Sequence, residues 1–387
     1  MLDVGTTGVK AFVFDENLRV ISRVYRPLKK YFPKKGWVEQ DPKELLIVAR
    51  KALRTAVAKN KITGSSYVGL GIANQRETTI LWDKKTGDDV YPALVWEDTR
   101  TQTYCAALKK RYQKTIRQKT GLAIDPYFSA SKIRWILTHV PRAQTLLKEN
   151  RLAFGTVDSW VLWNLAEHTP HHTDYTNASR TLIFNIKTLR WDGMLLKIFG
   201  IPKRILPRAL PSVSKFGALK KEVVGHPIPI LMMCGDQQAS MYAAGIRSGA
   251  TKVTYGTGTF IMQVLGPRFK THADFFTTLI PDGRKPRYAL EAKIAGSGQE
   301  IENALRKHRA LRPILKRLSS DVNAYLKKLP VPPKTLVIDG GATRDEYLRV
   351  AQSEISGVPV QKQKIFDGTA LGVASRIRDA IAKYSPH

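Results

Sequence analysis

Four apolar runs in this sequence end alike, and that shared ending constrains the fold more than any other feature. "YVGLGIAN" runs into Gln75-Arg76-Glu77, "IPILMMC" into Gly235-Asp236-Gln237-Gln238, "KVTY" into Gly256-Thr257-Gly258, and "TLVID" into Gly340-Gly341. Each run is short, aliphatic and bounded by turn-forming residues, the pattern of a strand buried in a sheet. "TTILWD" and "VYPALVW" read as further strands around the turn "KKTGDD". Helical spacing lies between the runs. Asp41 is an N-cap, Pro42 fits the first helical position and Glu44 completes a capping box; Leu45, Val48, Ala49, Ala52, Leu53 and Ala56 then recur every three or four residues. Strands alternating with helices to about residue 245 give an α/β class. A chain of 387 residues is too long for one ordinary core and predicts two domains. In such sheets ligands collect at the carboxyl ends of strands, so the polar endings are the candidate site. One such ending would be a plain turn; four together carry the inference.

A weak internal repeat supports this. "DVGTTGVKAFVF" and "TYGTGTFIMQV" each place Gly-Thr and a further Gly between extended segments, which suggests a duplicated domain offering two hairpins. Glycine lets successive N–H groups turn toward an anion and threonine adds a hydroxyl donor, so the pair suits phosphate oxygens. No Walker A spacing is present, and no GxGxxG follows a strand. His168, His171 and His172 read as a solvated loop rather than a metal centre.

The net charge of +31 attracts anions of every kind. It is spread along the chain, and no stacking-aromatic module accompanies it, so specific nucleic-acid binding is not expected. Cys105 and Cys234 make no disulfide framework, no apolar run reaches membrane-spanning length and no leader is visible; a cytoplasmic location is expected.

"DVGTTGVKA", "NQRETTILW", "IDPYFSASKIRWIL", "FGTVDSW", "TDYTNASRTLIFN", "GDQQAS", "TYGTGTF" and "DGGAT" together resemble the glycerol kinases of the FGGY carbohydrate kinase family. The likeness is nearly continuous from Asp3 to about Glu291 and returns from Leu336 to Ala374, and "NQRETT" and "TDYTNASRT" point to the glycerol kinases within the family. It implies two actin-like (ribonuclease H-like) domains, residues 1–246 and a reduced 247–387, with an interdomain cleft. It implies ATP and Mg²⁺ as cofactors and glycerol as the small-molecule substrate, giving sn-glycerol 3-phosphate and ADP. It is compatible with a homo-oligomer and calls for no membrane.

The resemblance also implies roles. Asp236 is the general base; Arg76, Glu77, Asp236 and Gln237 bind the substrate, and Trp96, Tyr127 and Phe260 wall it. Asp3 holds Mg²⁺ through water. Thr6, Thr7 and Lys10 form the first phosphate hairpin, with Lys10 where the family often has arginine, and Gly256, Thr257 and Gly258 form the second. Gly340, Gly341 and Asp345 lie near the α-phosphate and adenosine, with Asp345 where the family usually has asparagine. Two departures stand out. Only Met1 and Leu2 precede Asp3 where the family has a central strand, which predicts a fragmentary start and unpaired neighbouring backbone. The stretch from about Ala292 to Lys334 is short, and either Gln299 or Glu300 takes the place of a nucleotide-site glutamine. The alternatives are a kinase for another polyol or sugar, and an impaired relic that binds without turnover.

Overall fold

The structure, a computed structural model, describes residues 1–59, 66–256, 258–280, 285–294, 296, 300, 301, 303, 304, 310–363 and 367–384. Thr257 and Gln299 lie outside the described residues. The chain divides into two compact units: Met1–Asp236 with the segment from Val373 onward, and Gln237–Ile280 with Lys285–Gly372.

The first unit is built on six strands: β1 (Leu2–Val4), β2 (Gly8–Phe14), β3 (Val20–Pro27), β4 (Leu70–Asn74), β5 (Val213–Leu219) and β6 (Ile228–Gly235), in sheet order β5-β6-β4-β1-β2-β3. β1 to β3 run antiparallel, and β1, β4 and β6 run parallel. A short central strand stands at the position where the chain departs from the family it resembles. Leu2, Asp3 and Val4 pair with Ala11, Lys10 and Val9 on one side and with Ile72, Ala73 and Asn74 on the other. Met1 extends the pairing, since its carbonyl accepts from Phe12 N at 2.9 Å.

α1 (Pro42–Ala58) covers this sheet with Leu45, Ala49, Ala52, Leu53 and Ala56 buried in the same core as Leu2, Val4 and Ile72. Its cap is Asp41, which accepts from Lys43 N at 2.8 Å, whereas Glu44 accepts from Tyr31 OH at 3.3 Å. Burying a leucine such as Leu45 stabilises by about 1.5–3 kcal/mol, so the helix owes more to this stripe than to its cap. Gly71 is required where α9 (Gly368–Tyr384) crosses β4: a Cβ there would stand 2.8 Å from Ile377 Cδ1. "VYPALVW" forms a strand only at Ala93–Leu94, because Pro92 has no N–H to give a ladder. His171 is not solvated as expected. Its Nε2 lies 2.8 Å from Phe154 O, its ring meets Trp82 edge-on at 5.2 Å, and burial holds its pKa down at about 4.

The second unit repeats the plan: β7 (Thr251–Tyr255), β8 (Thr259–Gly266), β9 (Phe276–Leu279), β10 (Tyr288–Ile294), β11 (Leu336–Asp339) and β12 (Val360–Lys362), in the order β9-β10-β8-β7-β11-β12. β7 pairs antiparallel with β8 and parallel with β11, as β1 pairs with β2 and β4. α7 (Arg312–Leu326) and α8 (Glu346–Ser356) join its core through Leu315, Leu318, Val322 and Leu348. The duplication expected from the two Gly-Thr hairpins is thus a duplication of strand connectivity. Among the described residues no helix is long and apolar enough to cross a membrane.

Candidate active site

The first Gly-Thr turn joins β1 to β2. Gly5 N donates to Gly8 O at 3.0 Å, closing the turn over Thr6 and Thr7. Gly8 must be glycine, because a Cβ would stand 2.6 Å from Arg26 O and overlap the Tyr25 ring. The turn is tied from outside: Gln40 Nε2 donates to Thr6 O at 2.8 Å, Tyr25 OH to Thr7 O at 3.0 Å, and the Trp96 indole N–H to Thr6 Oγ1 at 2.8 Å. Asp3 and Lys10 face each other across the ladder, with Nζ 3.4 Å from Oδ2. The structure thus brings Asp3, Thr6, Thr7 and Lys10 to one strand end, with Trp96 touching them.

The second cluster of this unit stands where β4 and β6 end. Arg76 is buried, with Nε 3.5 Å from Asp236 Oδ1 and 3.9 Å from Glu77 Oε1, and its Nη2 donates to Tyr127 OH at 3.5 Å. The side chains of Arg76 and Glu77 are 1% exposed, whereas that of Asp236 is 29% exposed, so Asp236 is the carboxylate of this group that a solvent-borne molecule reaches. Trp96 and Tyr127 meet edge-on at 5.8 Å. Glu77 holds a left-handed backbone at φ 63, rare for a residue with a Cβ. Its carbonyl accepts from Ser129 Oγ at 2.9 Å and Thr79 Oγ1 at 3.1 Å, bonds that fix the turn.

Residues not singled out in the sequence hold this cluster. Lys132, on α3 (Ser129–His139), is fully buried and donates to Pro126 O at 2.5 Å and Tyr127 O at 3.0 Å. Burial lowers its pKa to about 8, although the negative Asp98 and Glu77 oppose the shift. Arg100 lies 3.7 Å from the Trp37 ring centroid and 4.6 Å from that of Trp135, and Asp98 beside it accepts from Val38 N at 2.7 Å; together they brace the loop bearing Trp96. In "TDYTNASRT", Asp174 accepts from Asn177 N at 2.9 Å and Ser212 Oγ at 2.6 Å, Asn177 exchanges amide bonds with Asn74, and Thr176 Oγ1 accepts from Gly235 N at 2.9 Å. Arg180 Nε donates to Glu77 Oε1 at 2.5 Å. The motif therefore ties the end of β4 to the end of β6, next to Asp236. Burial raises the Asp174 carboxyl, and burial with Asp174 as neighbour raises Asp158 to about 6.

In the second unit, Gly256 N donates to Gly258 O at 3.2 Å at the β7–β8 turn, and Phe260 follows on β8. Gln237 Oε1 accepts from Thr254 Oγ1 at 3.0 Å. Lys252 Nζ lies 2.9 Å from Asp339 Oδ1, both buried, and Ser240 Oγ donates to the same carboxylate. Gly340 has φ +98, and a Cβ there would sit 2.6 Å from the Tyr255 carbonyl carbon. Gly341 opens a 3₁₀ turn, and Asp345 caps α8 by accepting from Tyr347 N at 2.9 Å. Lys252 and Asp339 left a signal in the sequence, each being the one charged residue of its strand.

A sequence profile described as the N-terminal domain of the FGGY family of carbohydrate kinases matches residues 1–243. A glycerol kinase of Acidovorax ebreus is 41% identical over an alignment covering 96% of this chain and 88% of that one. Glycerol kinase 1 of Clostridium tetani is 36% identical, with 96% and 87% covered. Among solved structures, a Plasmodium falciparum glycerol kinase with ADP superimposes with a TM-score of 0.89 at 28% identity, covering 99% of this chain and 91% of that one. A Lactobacillus acidophilus gluconate kinase, at 18% identity and a TM-score of 0.82 over 100% of this chain and 89% of that one, shares the fold. The chain belongs to the FGGY family of carbohydrate kinases, phosphotransferases with an alcohol group as acceptor.

Proposed function

We propose that this kinase phosphorylates glycerol with ATP, giving sn-glycerol 3-phosphate and ADP, and that Asp236 is the general base. The observation that carries the reading is the Arg76–Glu77–Tyr127–Asp236 constellation: a buried guanidinium within 4 Å of the Glu77 carboxylate, the Tyr127 hydroxyl and the Asp236 carboxylate, the last of these open to an incoming molecule. Glycerol presents three hydroxyls on a short hydrocarbon edge. Arg76 donates to hydroxyl oxygens, Glu77 accepts from a hydroxyl, and the Trp96 and Tyr127 rings cover the edge. An alcohol is a poor nucleophile, so Asp236 takes its proton as the oxygen–phosphorus bond forms and the bond to the ADP oxygen breaks. The Arg76 guanidinium, 3.5 Å away, keeps Asp236 oriented.

The Thr6–Thr7 turn and the turn of Gly256 and Gly258 are the segments we assign to phosphate oxygens, with Lys10 supplying positive charge. The Gly340–Gly341 turn, Gln237, Phe260 and Asp345 are assigned to the nucleotide and substrate contacts that the family resemblance gives them. Asp3 fits a Mg²⁺ site: its carboxylate is a hard oxygen donor at the mouth of the first turn, and one carboxylate with water and phosphate is the usual set for that ion. When bound, the ion would neutralise charge on the phosphates.

The test is ADP release with glycerol, Mg²⁺ and ATP. The parent is expected to turn over and Asp236→Asn to lose roughly 10²–10⁴-fold in kcat with an unchanged unfolding curve. Preference for xylulose or gluconate over glycerol, or equal rates in parent and variant, overturns the reading.

A further inference from the structure

We infer that Arg180 is a positioning residue that sets the hydroxyl selectivity of the substrate pocket by holding Glu77 and Tyr127 at once; this rests on the proposed glycerol kinase reading. Arg180 stands next to last in the "TDYTNASRT" motif, whose earlier residues serve to join strand ends. Its side chain is 0% exposed. Nε donates to Glu77 Oε1 at 2.5 Å, and the guanidinium carbon stands 5.6 Å from the Tyr127 ring centroid and 5.1 Å from that of Phe128. One planar cation therefore holds both the acceptor and the wall of the pocket.

The chemistry follows from which oxygen is engaged. Arg76 and Arg180 both approach Oε1 of Glu77, so Oε2 has the lone-pair capacity for a further donor. A buried carboxylate oriented in this way accepts well from a substrate hydroxyl and tolerates poorly a substrate that leaves it without one. The left-handed backbone of Glu77 fixes where the carboxylate begins, and Arg180 fixes where it ends. Lysine in place of Arg180 keeps the charge but loses the planar fork and the ring stacking.

The experiment compares glycerol with 1,3-propanediol, which lacks the middle hydroxyl, in the parent, Arg180→Lys, Arg180→Gln and Glu77→Gln. Failure of the parent to phosphorylate glycerol would overturn the glycerol reading itself. With an active parent, Arg180→Gln is expected to raise the glycerol KM at least tenfold and cut the kcat/KM preference for glycerol over the diol at least tenfold, leaving the ATP KM within twofold. Arg180→Lys should fall between. A structural role alone would reduce active enzyme and thermal midpoint while leaving the preference intact, and that result overturns the proposal. If Arg180→Gln does not fold, Arg180→Lys decides: an unchanged preference overturns the proposal, and a loss that does not add to that of Glu77→Gln supports it.

Discussion

Lys132→Met isolates a buried charge whose effect on stability has a definite sign. Lys132 is fully buried, its ammonium donates to Pro126 O and Tyr127 O, and burial lowers its pKa from 10.5 to about 8. In the unfolded chain the amine titrates at its ordinary value. Between about 8 and 10.5 the unfolded chain therefore binds more protons than the native protein, and stability rises with pH through that window. Below about 8 the native state carries the whole cost of an ammonium in an apolar interior, about 3 kcal/mol for a shift of this size. Raising the pH from 7 to 9.5 relieves roughly 2 kcal/mol of it. Methionine does not titrate and gains nothing over the same interval, but it leaves two carbonyl oxygens without their donor at about 1–3 kcal/mol each. The parent should therefore gain roughly 2 kcal/mol on the variant between pH 7 and pH 9.5, other titrations cancelling in the difference. Urea unfolding followed by tryptophan fluorescence measures this, because all seven tryptophans lie within Met1–Asp236 and report the first unit. A difference that is flat with pH, or that shrinks, would refute the reasoning. Since Lys132 fixes the Tyr127 carbonyl, the glycerol KM of the variant should also rise severalfold at pH 7.

Asp158→Asn tests the opposite titration. Its carboxyl is raised to about 6, so the native protein binds the proton more tightly than the unfolded chain and stability rises as pH falls through the window from about 6 to 3.8; denaturant titrations at pH 7 and pH 4 should show the parent gaining about 2 kcal/mol on the variant. Gly340→Ala places a Cβ 2.6 Å from the Tyr255 carbonyl carbon on a backbone at φ +98, so ATP affinity by calorimetry should fall at least tenfold (about 1.4 kcal/mol or more) with the glycerol KM unchanged. Trp96→Phe keeps a ring but removes the indole bond to Thr6 Oγ1. A lost bond of about 1 kcal/mol should raise the KM values for glycerol and for ATP together, by about fivefold, and a rise in only one of them would argue against a shared role.

The strand endings were legible in the sequence and the residues that support them were not, for a physical reason. Arg76, Glu77 and Asp236 sit directly after apolar runs, where polarity contrasts with its neighbours and is visible along the chain. Lys132 and Arg180 lie on segments whose burial depends on partners distant in sequence, as in the bond from Arg180 to Glu77 across 103 residues. The left-handed turn at Glu77 left no glycine to announce it. The first strand pairs with β2 and β4 through Leu2–Val4 only, so what holds it lies in residues distant from it in sequence. α1 was legible to its cap because capping and helical spacing are local.

The duplicated hairpins differ in where each keeps its carboxylate. When the Gly-Thr turns are aligned, Gly5 with Gly256, Asp3 corresponds to Thr254. In the first unit the parallel partner of Asp3 is Ala73; in the second the parallel partner of Thr254 is Asp339. The acid has thus moved one strand over. There it is bound within its own unit, 2.9 Å from buried Lys252 and bonded by Ser240. A carboxylate beside the second turn would repel a phosphate if left bare, and Lys252 cancels that charge at short range. Lys10 Nζ stands at the longer distance of 3.4 Å from Asp3 Oδ2, and its side chain is 30% exposed. A solvated lysine neutralises less, because water screens it. The two units therefore hold their carboxylates in different surroundings: the Lys252–Asp339 pair is buried, whereas the lysine beside Asp3 is partly exposed.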